Sequence, residues 1–155
     1  MRSLCFIQPD ITKGTGGLKV LNLITKELVN DYNIHVVSLG FSGDKPAYEF
    51  DKAVKIHKLF DRDIRIREAL IKGGISKLRK IYKQNHIDIA VSIGASMNAL
   101  LIFAALGTDV KTVFCEHLNC LNSFVCDNSQ KIMQKIGARL ADKIITLTKQ
   151  DMDAY

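Results

Sequence analysis

Ile87-Asp88-Ile89-Ala90-Val91-Ser92-Ile93 is the stretch on which the fold turns. Only Asp88 and Ser92 interrupt a run of apolar, partly β-branched side chains, so both faces of the segment are largely apolar. A strand with one wet face alternates apolar and polar residues. One that is apolar on both sides belongs in a parallel sheet covered by helices above and below. Similar short runs recur at Leu4–Gln8, Ile34–Leu39, Val54–Leu59, Lys111–Cys115 and Lys143–Leu147. Segments of helical period separate them. After Gly16-Gly17, the residues Leu18, Leu21, Leu23, Ile24, Leu28 and Val29 make one broad apolar face. Over residues 64–85, Ile66, Leu70, Ile71, Ile75, Leu78, Ile81 and Tyr82 repeat at three and four. A break is predicted there at Gly73-Gly74, because each glycine costs about 1 kcal/mol in a helix interior. Further helices are predicted over Met97–Leu106 and Gln130–Leu140, and another from Thr148 onward. The alternation predicts an α/β domain over residues 1–155, with a doubly wound, mainly parallel sheet and helices on both faces. A chain of this length buries about 68–70% of its unfolded surface.

Ligands of such sheets bind beyond the carboxyl ends of the strands, where the strand order reverses. The residues to inspect are therefore Pro9–Gly17, Gly40–Ser42, Gly94–Ser96, Glu116–Asn119 and Thr148. Thr12-Lys13-Gly14-Thr15-Gly16-Gly17 follows the first strand and opens the first helix. Its glycines let backbone N–H groups approach an anion at the positive helix end, with Thr15, Gly16 and Gly17 nearest a phosphate. The alternative is a strand-to-helix turn with no ligand, since glycine is the default turn residue. No Gly-Lys-Ser/Thr closes the loop as in a Walker motif, and Lys19 stands where Gly-x-Gly-x-x-Gly needs its third glycine. The second strand ends in Val37-Ser38-Leu39, without an acid to hold an adenosine ribose. A nucleotide-dependent oxidoreductase is disfavoured on both counts.

Glu116, His117 and Asn119 follow the fifth strand, where a polar loop can meet a ligand. A neutral His117 would orient a hydroxyl or move a proton, its pKa lying near working pH; a buried imidazole satisfied by a backbone carbonyl is the competing reading. Cys115, His117, Cys120 and Cys126 lack the paired spacing of strong metal sites, so no metal is expected. His35 and His57 sit within strands and His86 precedes one, which favours core or surface roles for all three.

The net charge of +6 attracts anions. Arg62, Arg65, Arg67, Lys72, Lys77, Arg79, Lys80 and Lys83 concentrate it in one crossover. A basic amphipathic helix docks on anionic lipid at about 1 kcal/mol per residue near the surface, which makes Arg65, Lys72, Arg79, Lys80 and Lys83 membrane-facing candidates. A solvated outer face is the alternative. No aromatic side chains interleave with these cations to stack bases, so nucleic acid is not expected as a partner. The longest apolar run, Ala99–Leu106, is far short of the roughly 18–20 residues of a membrane span. The N-terminus lacks the long apolar core of a signal peptide, which places the expected chain in the cytoplasm, peripheral at most on the inner face of the plasma membrane.

Gly16-Gly17 with its amphipathic helix, YNIHVVSLG (32–40), DIAVSIG (88–94), VFCEHLN (113–119) and ADKIITLTKQDMDAY (141–155) together resemble the N-terminal half of the family 4 glycosyltransferases, which have the two-domain GT-B fold. The resemblance covers nearly the whole chain. Leu18-Lys19 stands where members usually carry Ala-Glu after the two glycines.

The resemblance implies a retaining, metal-independent transfer of a sugar from a nucleotide-diphosphate sugar to a glycan or lipid-linked acceptor in surface polysaccharide synthesis. It implies that Gly16 and Gly17 approach the donor pyrophosphate, that His117 contacts the donor sugar near its reacting carbon, and that Glu116 supports that loop. The acceptor cleft would be lined by Ser96, Asn119 and Thr148. The nucleotide belongs to a C-terminal half, supplied by a further domain or a partner subunit, so the 155 residues alone are expected to be inactive. A non-catalytic half-domain that binds a partner is the alternative.

Overall fold

The computed structural model describes residues 1–115, 132, 135 and 139–149, and at Ala95 the backbone alone. Within these residues the elements run β1 (Ser3–Asp10), α1 (Gly16–Leu28), β2 (Asn33–Gly40), β3 (Lys55–Lys58), α2 (Ile66–Ile71), α3 (Gly74–Gln84), β4 (Ile89–Ile93), a 3-10 turn (Ala95–Met97), α4 (Asn98–Ala105), β5 (Lys111–Cys115) and β6 (Lys143–Ile145). The strands form one sheet in the order β3-β2-β1-β4-β5-β6. Every pairing is parallel. This is an α/β Rossmann-like fold. The helix predicted over Gln130–Leu140 and the one starting at Thr148 lie mainly outside the described residues.

Strand alternation sends side chains to two separate cores. On one face Leu4, Phe6, Ile34, Val36, Val91 and Ile93 pack with Leu18 and Leu21 of α1. On the other, Cys5, Ile7, Val37, Leu39 and Ala90 meet Ala69 of α2, Leu78 and Tyr82 of α3, and Leu100 and Leu101 of α4. Leu23 departs from its expected place on the buried face of α1: it is 56% exposed, while Asn22 and Thr25 are buried. Two residues span about 200° of a helix, so Leu23 cannot share the face set by Leu18, Leu21 and Thr25. The break between α2 and α3 falls where the adjacent glycines placed it. Gly73 takes the left-handed φ of 79°, and Gly74 lies so close to the preceding turn that a Cβ there would sit 2.7 Å from the Ala69 carbonyl oxygen.

The far strand pairs with β5 and is clasped at its start by one carboxylate. Asp142 accepts from the Thr112 N–H and hydroxyl, each at 2.9 Å, and its own N–H donates to the Thr112 hydroxyl at 3.1 Å. These bonds, with Lys111 3.2 Å away, keep the Asp142 carboxyl below the usual carboxylate range.

His35 and His57, on neighbouring strands, share a hydrogen bond between Nδ1 and Nε2 at 3.0 Å. Their rings lie within 6° of parallel with centroids 5.2 Å apart, close to the largest separation that such a nitrogen contact allows. The rings therefore meet edge to edge and one proton lies between them. Burial, then the neighbouring His57 and Lys55 charges, push the His35 pKa down from 6.5 to about 4. Burial and Lys55 lower His57 as well. The unfolded chain binds these protons before the folded chain does, so stability is complete above about pH 6.5 and is lost as pH falls toward 4. The urea midpoint should fall between pH 7 and pH 5, and by less in His35→Phe; a wild-type midpoint unchanged over that range would refute this coupling.

Candidate functional site

The pairing of β1 with β4 ends at Ile7↔Ser92, whereas β1 continues beside β2 to Asp10↔Gly40. Beyond Ile7 the sheet therefore opens between β1 and β4, and the chain leaves these strands in opposite directions along the sheet. A cleft of about 660 Å³ occupies this position. Its wall is made by Gln8, Pro9 and Asp10 at the end of β1, Thr15, Gly16, Gly17 and Val20 at the start of α1, and Ile93, Gly94 and Ser96 after β4. Lys13 and Asp63 stand at the rim and are joined by a 2.9 Å ion pair.

Asp10 fixes the loops. It is buried, and its carboxylate accepts from the Thr12 N–H at 2.9 Å, the Thr12 hydroxyl at 2.7 Å, the Ser42 N–H at 3.2 Å and the Ser42 hydroxyl at 2.6 Å. Burial alone would raise its pKa, but the hydrogen bonds from Ser42 and Thr12 outweigh that and hold it below the ordinary value. Ser38 completes the brace, accepting from the Ile11 N–H at 3.0 Å and donating to the Gly40 carbonyl. The end of β2, where a dinucleotide site would carry its acid, thus holds a buried hydroxyl engaged by the chain itself.

Thr15 caps α1, its hydroxyl accepting from the Leu18 N–H at 3.2 Å. The N–H groups of Gly16 and Gly17 precede the first intrahelical bond and have no partner among the described residues. Neither glycine has a positive φ. Among the described residues a Cβ on Gly16 would meet nothing within 4 Å, and one on Gly17 would reach only Ile93 Cγ2 at 3.8 Å. The described residues therefore give no steric reason for glycine at either position. Gly40 is the opposite case, since its Cβ would sit 2.7 Å from the Arg62 carbonyl oxygen.

Of the residues singled out in the sequence, Thr15, Gly16, Gly17 and Ser96 come together on the cleft. Thr148 lies beyond β6, two strands further along the sheet than β4, and is not part of the cleft wall. Glu116, His117 and Asn119 lie outside the described residues. Gln8 and Asp63 were not singled out, and Asp10, though inside the Pro9–Gly17 stretch marked for inspection, was given no role. Asp10 was within reach, being an acid directly after a strand end and before the glycine turn, but nothing in the sequence marks Asp63 as a neighbour of Lys13. In the basic crossover, Arg79 turns onto the carbonyls of Phe103, Ala104 and Leu106 at 2.8, 3.1 and 3.0 Å, and Lys72 pairs with Glu68 at 2.9 Å. Arg65, Lys80 and Lys83 are exposed. Among the described residues no group of His, Cys, Asp or Glu is arranged to hold a metal. None of their helices is long and apolar enough to cross a membrane.

The backbone is similar to that of sucrose-phosphate synthase from Thermosynechococcus elongatus. The likeness has a TM-score of 0.73 at 8% sequence identity, and it covers 99% of this chain and 44% of the synthase. At that identity it is the fold that is shared. The chain spans less than half the length of the synthase. The sequence matches no protein family model and no curated protein.

The two kinds of glycine predict opposite behaviour. Gly40→Ala should cost about 1–3 kcal/mol through overpacking against the Arg62 carbonyl, read as a lower melting temperature. Gly16→Ala should leave stability unchanged or raise it by up to about 1 kcal/mol. A Gly16→Ala protein that melts as low as Gly40→Ala would show that Gly16 has a structural role.

Proposed function

We propose that this chain is the acceptor-side half of a retaining GT-B glycosyltransferase that uses a nucleotide-diphosphate sugar. The observation that carries the reading is the pair Gly16 and Gly17: two unpaired N–H groups at a helix N-terminus, with no Cβ to obstruct them, facing a cleft at the switch point. A helix N-terminus of this form favours a phosphate through both its dipole and its free donors. The likeness in fold to sucrose-phosphate synthase supports the choice of glycosyl transfer over other phosphate chemistry. So does the missing acid at the end of β2, which counts against a dinucleotide.

In the proposed reaction the bond between the donor sugar C1 and the diphosphate oxygen breaks, and an acceptor hydroxyl oxygen bonds to C1 on the same face. The acceptor proton passes to the departing diphosphate oxygen, and the nucleoside diphosphate leaves with the electron pair of the broken bond. Gly16 and Gly17 stabilise that developing charge by hydrogen bonding, which is the preorganised electrostatic role that catalyses such steps most strongly. His117 contacts the donor sugar, Glu116 supports its loop, and Ser96 and Asn119 contribute to the acceptor side. No metal is required, since the helix terminus supplies the positive potential. The nucleotide is held by a second half outside these 155 residues; the likeness to sucrose-phosphate synthase covers 44% of that protein, which leaves room there for such a half. The acceptor is a glycan or a lipid-linked sugar in surface polysaccharide synthesis. Exposed Arg65, Lys80 and Lys83 attract the anionic membrane face on which a lipid-linked acceptor would lie.

With a second, nucleotide-binding half supplied as a fused domain or partner subunit, the assembly should bind a sugar nucleotide and release nucleoside diphosphate when acceptor is added, with or without a chelator. Gly16→Val should preserve the fold and weaken donor binding at least about tenfold by occupying the space a phosphate needs. Absence of affinity for every sugar nucleotide tried would sink the reading. For the membrane contact, sedimentation with vesicles containing phosphatidylglycerol should decline when Arg65, Lys80 and Lys83 are together changed to Glu; unchanged sedimentation would remove the lipid surface from the proposal.

A further inference from the structure

Gln8 is the residue of the cleft whose polarity the chain does not explain. Period two along β1 places it on the same face as Leu4 and Phe6, beneath α1. It is 4% exposed, it borders the cleft, and its Nε2 is buried with no hydrogen-bond partner among the described residues. A buried amide left unpaired carries the full cost of its lost hydration, so one that persists at a cleft wall calls for a partner from outside the chain. Its position is also fixed. Gln8 pairs with Ser38 in the β1–β2 register just past the last β1–β4 pair, and, two residues on, the Asp10 carboxylate is bonded to Thr12 and Ser42.

We propose that Gln8 is a ligand-binding residue, its side-chain amide donating to an oxygen of the same phosphate group that the Gly16 and Gly17 N–H groups receive. This rests on the phosphate reading of the glycine turn and adds a third, neutral donor from below. Together the three donors approach the anion from the helix end and from the sheet. A phosphate oxygen is favoured over a sugar hydroxyl because Gln8 borders the same cleft as Gly16 and Gly17, which open α1 at its positive end.

The test uses the 155-residue chain labelled with nitrogen-15 and titrated with inorganic pyrophosphate, and separately with methyl glucoside. The backbone amides of Gly16 and Gly17 and the Gln8 side-chain amide pair should shift together and saturate with pyrophosphate. Gln8→Met, close in shape and unable to donate, should melt no lower than wild type and bind pyrophosphate roughly tenfold or more weakly. If Gly16 and Gly17 still respond in Gln8→Met with unchanged affinity, the role of Gln8 is wrong and the glycine-turn reading survives. No response at Gly16, Gly17 or Gln8 in the wild type overturns both. A Gln8 response to methyl glucoside alone overturns the phosphate assignment, and a marked loss of melting temperature in Gln8→Met with binding intact gives the amide a structural role instead.

Discussion

The right-handed crossover is the constraint from which the rest of this structure follows. The chain passes from β1 through α1 to β2 on one face of the sheet, continues to the edge at β3, and must then return to the other side of β1 to place β4. With parallel strands and a fixed hand, that reversal puts α1 on one face and the α2–α3 crossover on the other. The outcome is visible in the two cores, one built around Leu18 and Leu21 and the other around Leu78, Tyr82 and Leu100. It also means that no crossover covers the gap beyond Ile7 and Ser92. The cleft is thus a consequence of winding order, and the local residues decide only what it can hold.

Those residues divide into groups that stiffen the opening and groups that leave it accessible. Asp10, Ser38, Ser42 and Thr12 are joined by hydrogen bonds within the chain, and the Gly40–Arg62 approach leaves no space for a side chain. Gly16, Gly17 and Gln8 have the reverse character: room without occupants and donors without acceptors. Rigid support behind a site with unspent donors is the arrangement that lets binding energy go to a ligand rather than to ordering the loop.

Strand positions and the glycine break were legible because each depends on local pattern alone. Apolar runs on both faces identify covered strands, and Gly73-Gly74 interrupts a helix wherever the rest of the chain lies. Strand order is a longer-range property that the pattern left open, so the loops after the strands were marked for inspection, and the structure selects those after β1 and β4 as the ones at the switch point. What escaped was contact between loops. Lys13 and Asp63 are fifty positions apart and meet because the parallel strands β1 and β3 both finish at the carboxyl end of the sheet. Gln8 escaped for a different reason: in the sequence it is the last residue of an apolar run and is indistinguishable from a polar strand terminus. Asp142, by contrast, belongs to a motif noticed for its resemblance, and its geometry gives that motif a physical cause in the clasp on Thr112.

The basic crossover shows how far charge counting goes before geometry is needed. Its eight cations read as one surface, but they divide by what they touch. Arg79 closes the carboxyl end of α4, where a cation is favoured by the helix dipole and by the unpaired carbonyls. Lys77 donates to the Leu59 carbonyl at 3.0 Å and lies over the Phe60 ring, while Arg62 and Lys72 share Glu68. These four bind the crossover to the sheet, to α4 and to itself. The positive field that projects outward is therefore carried by Arg65, Arg67, Lys80 and Lys83, together with an Ile71 that is 87% exposed among them in sequence. Any anionic surface that this face meets has to be recognised by that smaller set.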